Sequence, residues 1–190
     1  MKANDILRRV KENLHDLLKR DFLHRKFWYE DDVKIHTFHH LENLFQKQGF
    51  VAHAEIRKWP SFRTIRGIEK RDSTPDLVLF RKNHSVAIIV EIKSALLDKT
   101  NVKPENVKED INKISQYLNT HQTAVGIVVY IALACDQSWV RMDLIKKELN
   151  DFAETRECND RIHLVGITIA SGSTDYQNKI YSDMSKYGVE

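Results

Sequence analysis

The feature that most constrains this sequence is a pair of neighbouring apolar runs between residues 71 and 94. The first run, residues 77–80, reads LVLF, and the second, residues 86–92, reads VAIIVEI and is rich in β-branched residues. Runs of this length and composition are typical of strands. The residues between them, RKNHS, are few and polar, which predicts a turn. The sequence therefore predicts two neighbouring strands joined as a hairpin.

Three charged residues lie where this hairpin would be expected to carry apolar ones. Asp76 stands at the start of the first strand, and Glu91 and Lys93 lie near the end of the second. Because side chains alternate along a strand, Glu91 and Lys93 point to the same face. Burying such charges requires compensation, usually by a metal or a partner. Two carboxylates and an amine at one sheet edge would form a site for a hard cation.

The order Pro75-Asp76 followed by Glu91-Ile92-Lys93 resembles the signature of the PD-(D/E)xK nuclease superfamily, which has the restriction-endonuclease-like fold. The resemblance covers the predicted core from about residue 32 to 133, and the motif itself has five residues. It implies an α/β fold with a central mixed β-sheet flanked by helices, in the order α-β-β-β-α-β. Apolar residues at helical spacing over residues 4–20 predict an extra N-terminal helix before this core. It also implies that Asp76, Glu91 and the backbone carbonyl of Ile92 hold Mg²⁺ or Mn²⁺. Lys93 would then act on the attacking water or on the phosphate.

Two further acids are candidates for the same site. Glu42 shares the apolar stripe of a predicted helix with Phe38 and Phe45. The resemblance implies that an acid on this helix joins the metal site, whereas an exposed carboxylate at the edge of the stripe is the ordinary alternative. Glu55, on a strand predicted over residues 51–59, is the second candidate for an accessory acid.

Histidines on the same helix raise the question of zinc. His36, His39 and His40 have no Cys or Glu at matched spacing, which favours solvated or half-buried histidines. Cys135 and Cys158 are isolated and predict structural thiols in a reducing, cytoplasmic compartment.

The segment from residue 57 to 71 is strongly basic, with Trp59 and Phe62 interleaved and only Glu69 opposing the charge. Basic side chains with aromatics directly before Asp76 suit a loop that follows a phosphate backbone. A solvated hairpin is the alternative. The candidate nucleic-acid-binding residues are Arg57, Lys58, Arg63, Arg66, Lys70 and Arg71.

A helix predicted over residues 105–119 follows the second strand of the motif. The resemblance implies that such a helix offers a polar residue to the site, and Lys113 and Gln116 are the candidates. Both could equally be flank residues of an amphipathic helix. Residues 125–134 are apolar without alternation, which predicts a central strand covered by helices on both sides.

The domain organisation predicted for the chain is a single domain. It comprises an N-terminal helical extension over residues 1–30, a core over 31–170 and a polar tail over 171–190. The tail could be an arm, a lid, a homodimer contact or a disordered segment. The longest apolar run, residues 125–135, is too short to cross a bilayer, so no membrane partner is expected.

The sequence thus favours a Mg²⁺-dependent endonuclease acting on DNA. A net charge of +3 permits nucleic-acid binding without establishing it. One alternative is a catalytically inactive nucleic-acid-binding or scaffold module of the same fold. Another is a metal-independent structural domain in which Glu91 and Lys93 form a plain ion pair.

Overall fold

The computed structural model describes residues 1–24, 29–54, 63–66, 69–72, 74–95, 104–133 and 139–169. Its helices are α1 (Ala3–Leu23), α2 (Glu30–Phe45), α3 (Pro104–Thr120) and α4 (Trp139–Glu154). Its strands are β1 (Val51–Ala54), β2 (Arg63–Arg66), β3 (Glu69–Asp72), β4 (Leu77–Phe80), β5 (Val86–Ala95), β6 (Val125–Leu133) and β7 (Ile162–Ile169). Short 3₁₀ turns at Gln46–Gln48 and Asn159–Arg161 precede β1 and β7.

Five of the described strands form one mixed sheet in the order β1-β4-β5-β6-β7. β4 is antiparallel to both of its neighbours, β1 and β5, whereas β5, β6 and β7 run parallel. β4 and β5 form the predicted hairpin. β6 lies between two neighbours, and residues 124–131 are all buried, as its unbroken apolar sequence predicts. An α/β fold with a mixed sheet flanked by helices is therefore confirmed.

Helices cover both faces of this sheet. On one face, α1 and α2 enclose a core with the even-numbered β5 residues Ile88, Val90 and Ile92. On the other face, Ile89 of β5 packs among the apolar residues of α3. The predicted N-terminal extension is part of the main core, because α1 contributes fully buried side chains. These are Ile6, Val10, Leu14, Leu18 and Phe22.

The end of β5 extends beyond the start of β4. Leu77, the first residue of β4, pairs with Val90, so residues 91–95 of β5 have no partner in β4. On the other side, β6 stays paired with β5 as far as Ala95. Backbone N–H groups on the side that β4 no longer covers require other acceptors. The acceptors found there are carboxylates, described below.

The basic segment contains a second, two-stranded antiparallel sheet formed by β2 and β3. Arg63 lies opposite Asp72, and Arg66 lies opposite Glu69. β2 lies alongside α3. Arg57, Lys58 and the predicted strand beyond Ala54 lie outside the described residues, as do the side chains of the β2–β3 hairpin.

The two ends of α2 are set by local backbone geometry. At its C-terminal end α2 passes into the 3₁₀ turn Gln46–Gln48, which ends at Gly49 in the left-handed conformation, with φ of 67°. At its N-terminal end the helix begins at Glu30, and the Tyr29 N–H donates to the Asp32 carboxylate at 2.8 Å. Among the described helices, none combines the length and the apolar character that crossing a bilayer requires.

Gly126 allows α3 to lie close to β6, and replacing it should move the helix. A Cβ atom at Gly126 would lie 2.1 Å from Cγ2 of the buried Ile114 on α3. We expect Gly126→Ala to lower the free energy of unfolding by about 1–3 kcal/mol, the usual cost of overpacking a core. Urea unfolding monitored by circular dichroism measures this difference.

The matched control is the same glycine substitution in an Ile114→Ala background, where the clashing methyl group is gone. The added cost of Gly126→Ala should largely disappear there, so the two substitutions should be non-additive. Full additivity would show that the close approach of α3 to β6 is not what Gly126 provides.

Candidate active site

Two carboxylates accept hydrogen bonds from the backbone of β5 in the part of the strand that extends beyond β4. Oδ2 of Asp76 accepts a hydrogen bond from the Ile92 N–H at 2.7 Å, and Oε2 of Glu30 accepts one from the Ser94 N–H at 3.0 Å. The N–H and C=O of one strand residue point to the same side. The Ile92 carbonyl, predicted as a metal ligand, is therefore on the Asp76 side of β5.

Glu91 points from β5 towards α3 and is 4% exposed. Its Oε2 lies 3.6 Å from Nζ of Lys113, and among the described residues nothing donates a hydrogen bond to its Oε1. Burial raises the pKa of Glu91 to about 8, with Lys113 opposing the rise and the charge of Asp76 adding to it. Burial of Glu91 therefore outweighs the attraction of Lys113 and disfavours the charged form of this carboxyl.

Asp110 brings a second buried carboxylate to the same place from α3. It is 2% exposed and accepts a hydrogen bond from Nζ of Lys113 at 2.7 Å. Its Oδ2 finds no donor within the described parts of the chain. Burial raises the pKa of Asp110, while Lys113 and Lys93 act in the opposite direction.

Lysines from three elements neutralise these acids. Lys34 of α2 lies 3.2 Å from Oδ1 of Asp76. Burial lowers the pKa of Lys113, but attraction to Glu91 and Asp110 raises it above its usual value, so this lysine stays charged. Lys93 is half-buried on the Glu91 side of β5, close enough for its charge to lower the pKa of Asp110.

Among the residues predicted from the sequence, Asp76, Glu91, Lys93 and Lys113 are thus brought to one end of the sheet. Asp76 and Glu91 are near enough for the charge on one to raise the pKa of the other. Gln116 is half-buried on α3, three residues beyond Lys113. Lys113 had been only an accessory candidate, yet its amine forms an ion pair with Glu91.

Glu42 does not join this group. It is exposed on α2, whose contacts with the site come from Glu30 and Lys34 instead. Twelve residues separate Glu30 from Glu42, which corresponds to about 18 Å along a helix. The shared stripe with Phe38 and Phe45 was misleading because it indicates the side of the helix on which Glu42 lies. It does not indicate which end of the helix reaches the site. Glu55 lies outside the described residues.

Two acids of the site were missed by the sequence reasoning. Asp110 lies three residues after Val107 and four before Ile114, so it lies on the apolar stripe of α3 at a position where a carboxylate must be buried. Glu30 is the first residue of α2. A charged residue on a buried stripe was a detectable signal, whereas the bond from Ser94 to Glu30 depends on tertiary structure.

A separate cluster of polar side chains lies between α1 and α2. Asp21 is 1% exposed, and its Oδ2 lies 2.8 Å from Nδ1 of His36 and 2.5 Å from Nε2 of His40. These three atoms are a group of potential metal ligands lying within 4.8 Å of one another. The sequence reasoning had set zinc aside at His36, His39 and His40 because it could not see Asp21.

The comparisons with known proteins leave the interpretation to this geometry. No protein-family model matches the chain, and no curated protein and no solved structure gives a significant match.

Replacing Glu91 with Gln should change how stability depends on pH. The pKa of Glu91 is raised in the folded protein, so the folded state binds more protons than the unfolded state between about pH 4.5 and about pH 8. Without metal, the free energy of unfolding should therefore fall as pH rises through that window, by roughly a few kcal/mol at ~1.4 kcal/mol per pKa unit. Urea unfolding in a chelator across the window measures this fall.

In Glu91→Gln most of that fall should be absent, since the amide does not ionise. Glu12→Gln, on the exposed side of α1, is the matched control and should keep the parental pH dependence. An unaltered slope in Glu91→Gln would show that Glu91 ionises in the folded protein as easily as in water.

Proposed function

We propose that this protein is a metal-dependent nuclease with a restriction-endonuclease-like core, which hydrolyses phosphodiester bonds in DNA. The observation that carries the proposal is the pair of buried carboxylates, Glu91 and Asp110, beside Asp76 at the end of β5 that extends beyond β4. Burying carboxylates costs free energy of folding, so three acids held together favour a site that binds a cation. The sequence motif formed by Asp76, Glu91 and Lys93 supports the same reading.

The donor set fits a hard divalent cation. Oε1 of Glu91 and Oδ2 of Asp110 are buried oxygens without a hydrogen-bond donor among the described residues, and each such group is costly unless something compensates it. Mg²⁺ and Mn²⁺ prefer carboxylate and carbonyl oxygens. Asp76, Glu91 and the Ile92 carbonyl would hold the ion, and Asp110 takes the accessory position that the sequence had assigned to Glu42.

Hydrolysis of a phosphodiester requires a water to attack phosphorus in line with the oxygen that leaves, while the charge on the phosphate is neutralised. When bound, a divalent cation would make water more acidic and offset negative charge on the phosphate. The remaining work falls to the chain's own side chains. As water forms its bond to phosphorus, it gives up a proton, and the leaving oxygen takes one up as its bond breaks.

The lysines are the residues suited to that work. Lys93 is on the same face as Glu91, where its amine can orient the attacking water or hold a non-bridging phosphate oxygen. Lys113 is paired with Asp110 in the metal-free protein. Binding of a cation by Asp110 would release Lys113 from that pairing and leave an ammonium group available to the phosphate.

The position of the basic hairpin supports nucleic acid as the substrate. β2 lies alongside α3, the helix that carries Asp110 and Lys113. The sequence of the β2–β3 hairpin includes Arg63, Arg66 and two further basic residues. A basic element next to acids that hold a cation is suited to a polyanion that must be drawn towards them.

Cleavage of supercoiled plasmid tests the proposal. With Mg²⁺ or Mn²⁺ the wild-type protein should nick the plasmid, and Asp76→Asn should abolish nicking because the cation is no longer held. Lys93→Ala should reduce the rate by about 100-fold or more while leaving DNA affinity nearly unchanged, because its contribution is made in the chemical step. Gel electrophoresis and a filter-binding assay give the two readouts.

Asp151→Asn, an exposed acid on α4, is the control and should cut at the parental rate. Single-stranded DNA and RNA in parallel reactions define the substrate. Binding of DNA without cleavage under either metal would instead identify a nucleic-acid-binding module. Lys93→Ala cutting at the wild-type rate would remove that lysine from the mechanism.

Replacing Arg63 and Arg66 with Ala tests the basic hairpin. We expect weaker DNA binding by about the same factor for every sequence. The slope of log K against log salt should become shallower by roughly one unit for each lost phosphate contact. Fluorescence anisotropy over a salt series measures the slope, with Lys147→Ala on the exposed side of α4 as the control. An unchanged slope would remove the hairpin from the interface.

A further inference from the structure

The cluster of Asp21, His36 and His40 has the composition of a metal site with a chemistry different from that of the sheet end. Two imidazoles on successive turns of α2 face one carboxylate from α1. His36 and His40 are separated by four residues, so both rings project from the same side of the helix. Two imidazoles with one carboxylate are a ligand set used for zinc.

The distances are compatible with an ion among the three side chains. In a tetrahedral zinc site with bonds of about 2.0–2.1 Å, neighbouring ligand atoms lie roughly 3.3 Å apart. In this structure Nδ1 of His36 and Nε2 of His40 lie 2.8 Å and 2.5 Å from Oδ2 of Asp21. The ion would fit if each ring nitrogen moved away from Oδ2 of Asp21 by less than about 1 Å, which side-chain rotation allows.

We propose that Asp21, His36 and His40 bind a divalent cation of the zinc class, and that this cation fastens α1 to α2. Imidazole nitrogen suits zinc and its neighbours in the transition series, whereas Mg²⁺ prefers oxygen. The three side chains leave at least one coordination position for water. His36, with a side chain 27% exposed, gives the ion a route from solvent.

Proton balance follows from the contacts. The ring nitrogens of His36 and His40 that face Asp21 lie within hydrogen-bond distance of its carboxylate, to which a protonated ring nitrogen donates. In the bound state each nitrogen presents a lone pair to the ion, so each neutral ring carries its proton on the other nitrogen. A proton on a ring nitrogen that faces Asp21 therefore moves to the other nitrogen of the ring or is released as the ion binds, and the carboxylate of Asp21 is the third ligand.

The proposed zinc-class site does not require the proposed nuclease function, and its test uses metal binding and thermal stability. Chelator-treated full-length protein is titrated with Zn²⁺ alone by calorimetry, and thermal unfolding is followed with and without the ion. We expect one tightly bound Zn²⁺ per chain and a higher Tm in its presence. Co²⁺ should occupy the same site and give the absorption spectrum of a low-coordinate ion, whereas Mg²⁺ should not compete.

His36→Gln and His40→Gln should each weaken Zn²⁺ affinity by at least about 100-fold, since even partners outside the first coordination sphere cost 10–100-fold. His39→Gln is the matched control because His39 is exposed on the same helix between them. It should keep the parental affinity and the rise in Tm. This control also separates the site from weak binding by other histidines, since the chain has nine histidines in total.

A measurement on the unaltered protein covers the case in which a variant fails to fold. In ¹H–¹⁵N spectra of the histidine rings, added Zn²⁺ should change the ring ¹⁵N chemical shifts of two histidines, with the same dependence on Zn²⁺ concentration. His39→Gln should leave both of these signals in place. Absence of a one-equivalent site, or full Zn²⁺ affinity in folded His36→Gln or His40→Gln, would overturn the proposal. The cluster would then be a hydrogen-bonded clamp only.

Discussion

A carboxylate buried at the end of an apolar strand is the constraint on which this architecture depends. β5 is apolar on both faces until Glu91, and a carboxylate so placed costs several kcal/mol unless charges or hydrogen bonds compensate it. Lys113 compensates only one of its oxygens. Burial prevails over that partner, which is why the pKa of Glu91 rises. The fold therefore disfavours the charged form of Glu91, and a positive charge placed beside it would favour ionisation.

The lysines around the site make cation binding an exchange of counter-ions. Lys34 sits at Asp76, and Lys113 sits at Asp110, so the metal-free protein leaves neither of these acids without positive charge. A divalent ion would displace ammonium groups that stay close to the same acids. Positive charge would therefore lie near the acids in both states, which allows the proposed site to be stable without metal and still to bind it.

The sequence predicted the secondary structure better than the site because the two depend on different distances. The strands around Glu91 and the stripe of α3 follow from local apolar periodicity, and their bounds agree with the structure within a few residues. Periodicity reports the face on which a residue lies. It does not report which end of a helix meets the sheet, and that is why Glu42 was preferred to Glu30.

Asp21 shows the same limit in another form. Asp21 lies three residues after Leu18 and seven after Leu14, on the buried stripe of the first helix, so its burial could be predicted from the sequence. The two histidines that contact it lie fifteen and nineteen residues further along the chain, and nothing local identifies them. The spacing of His36 and His40 was visible, but a pair of histidines becomes a potential site only when packing of α1 on α2 supplies the third ligand.

α2 links the two clusters, because its first turns reach the sheet end and its flank faces α1. Glu30 and Lys34 contact Ser94 and Asp76, while His36, only two residues beyond Lys34, contacts Asp21. A helix is rigid over so short a span, so a rotation of α2 that opened the histidine cluster would also move Lys34 relative to Asp76. An ion held between α1 and α2 would therefore fix the orientation of the helix that supplies positive charge to the proposed catalytic acids.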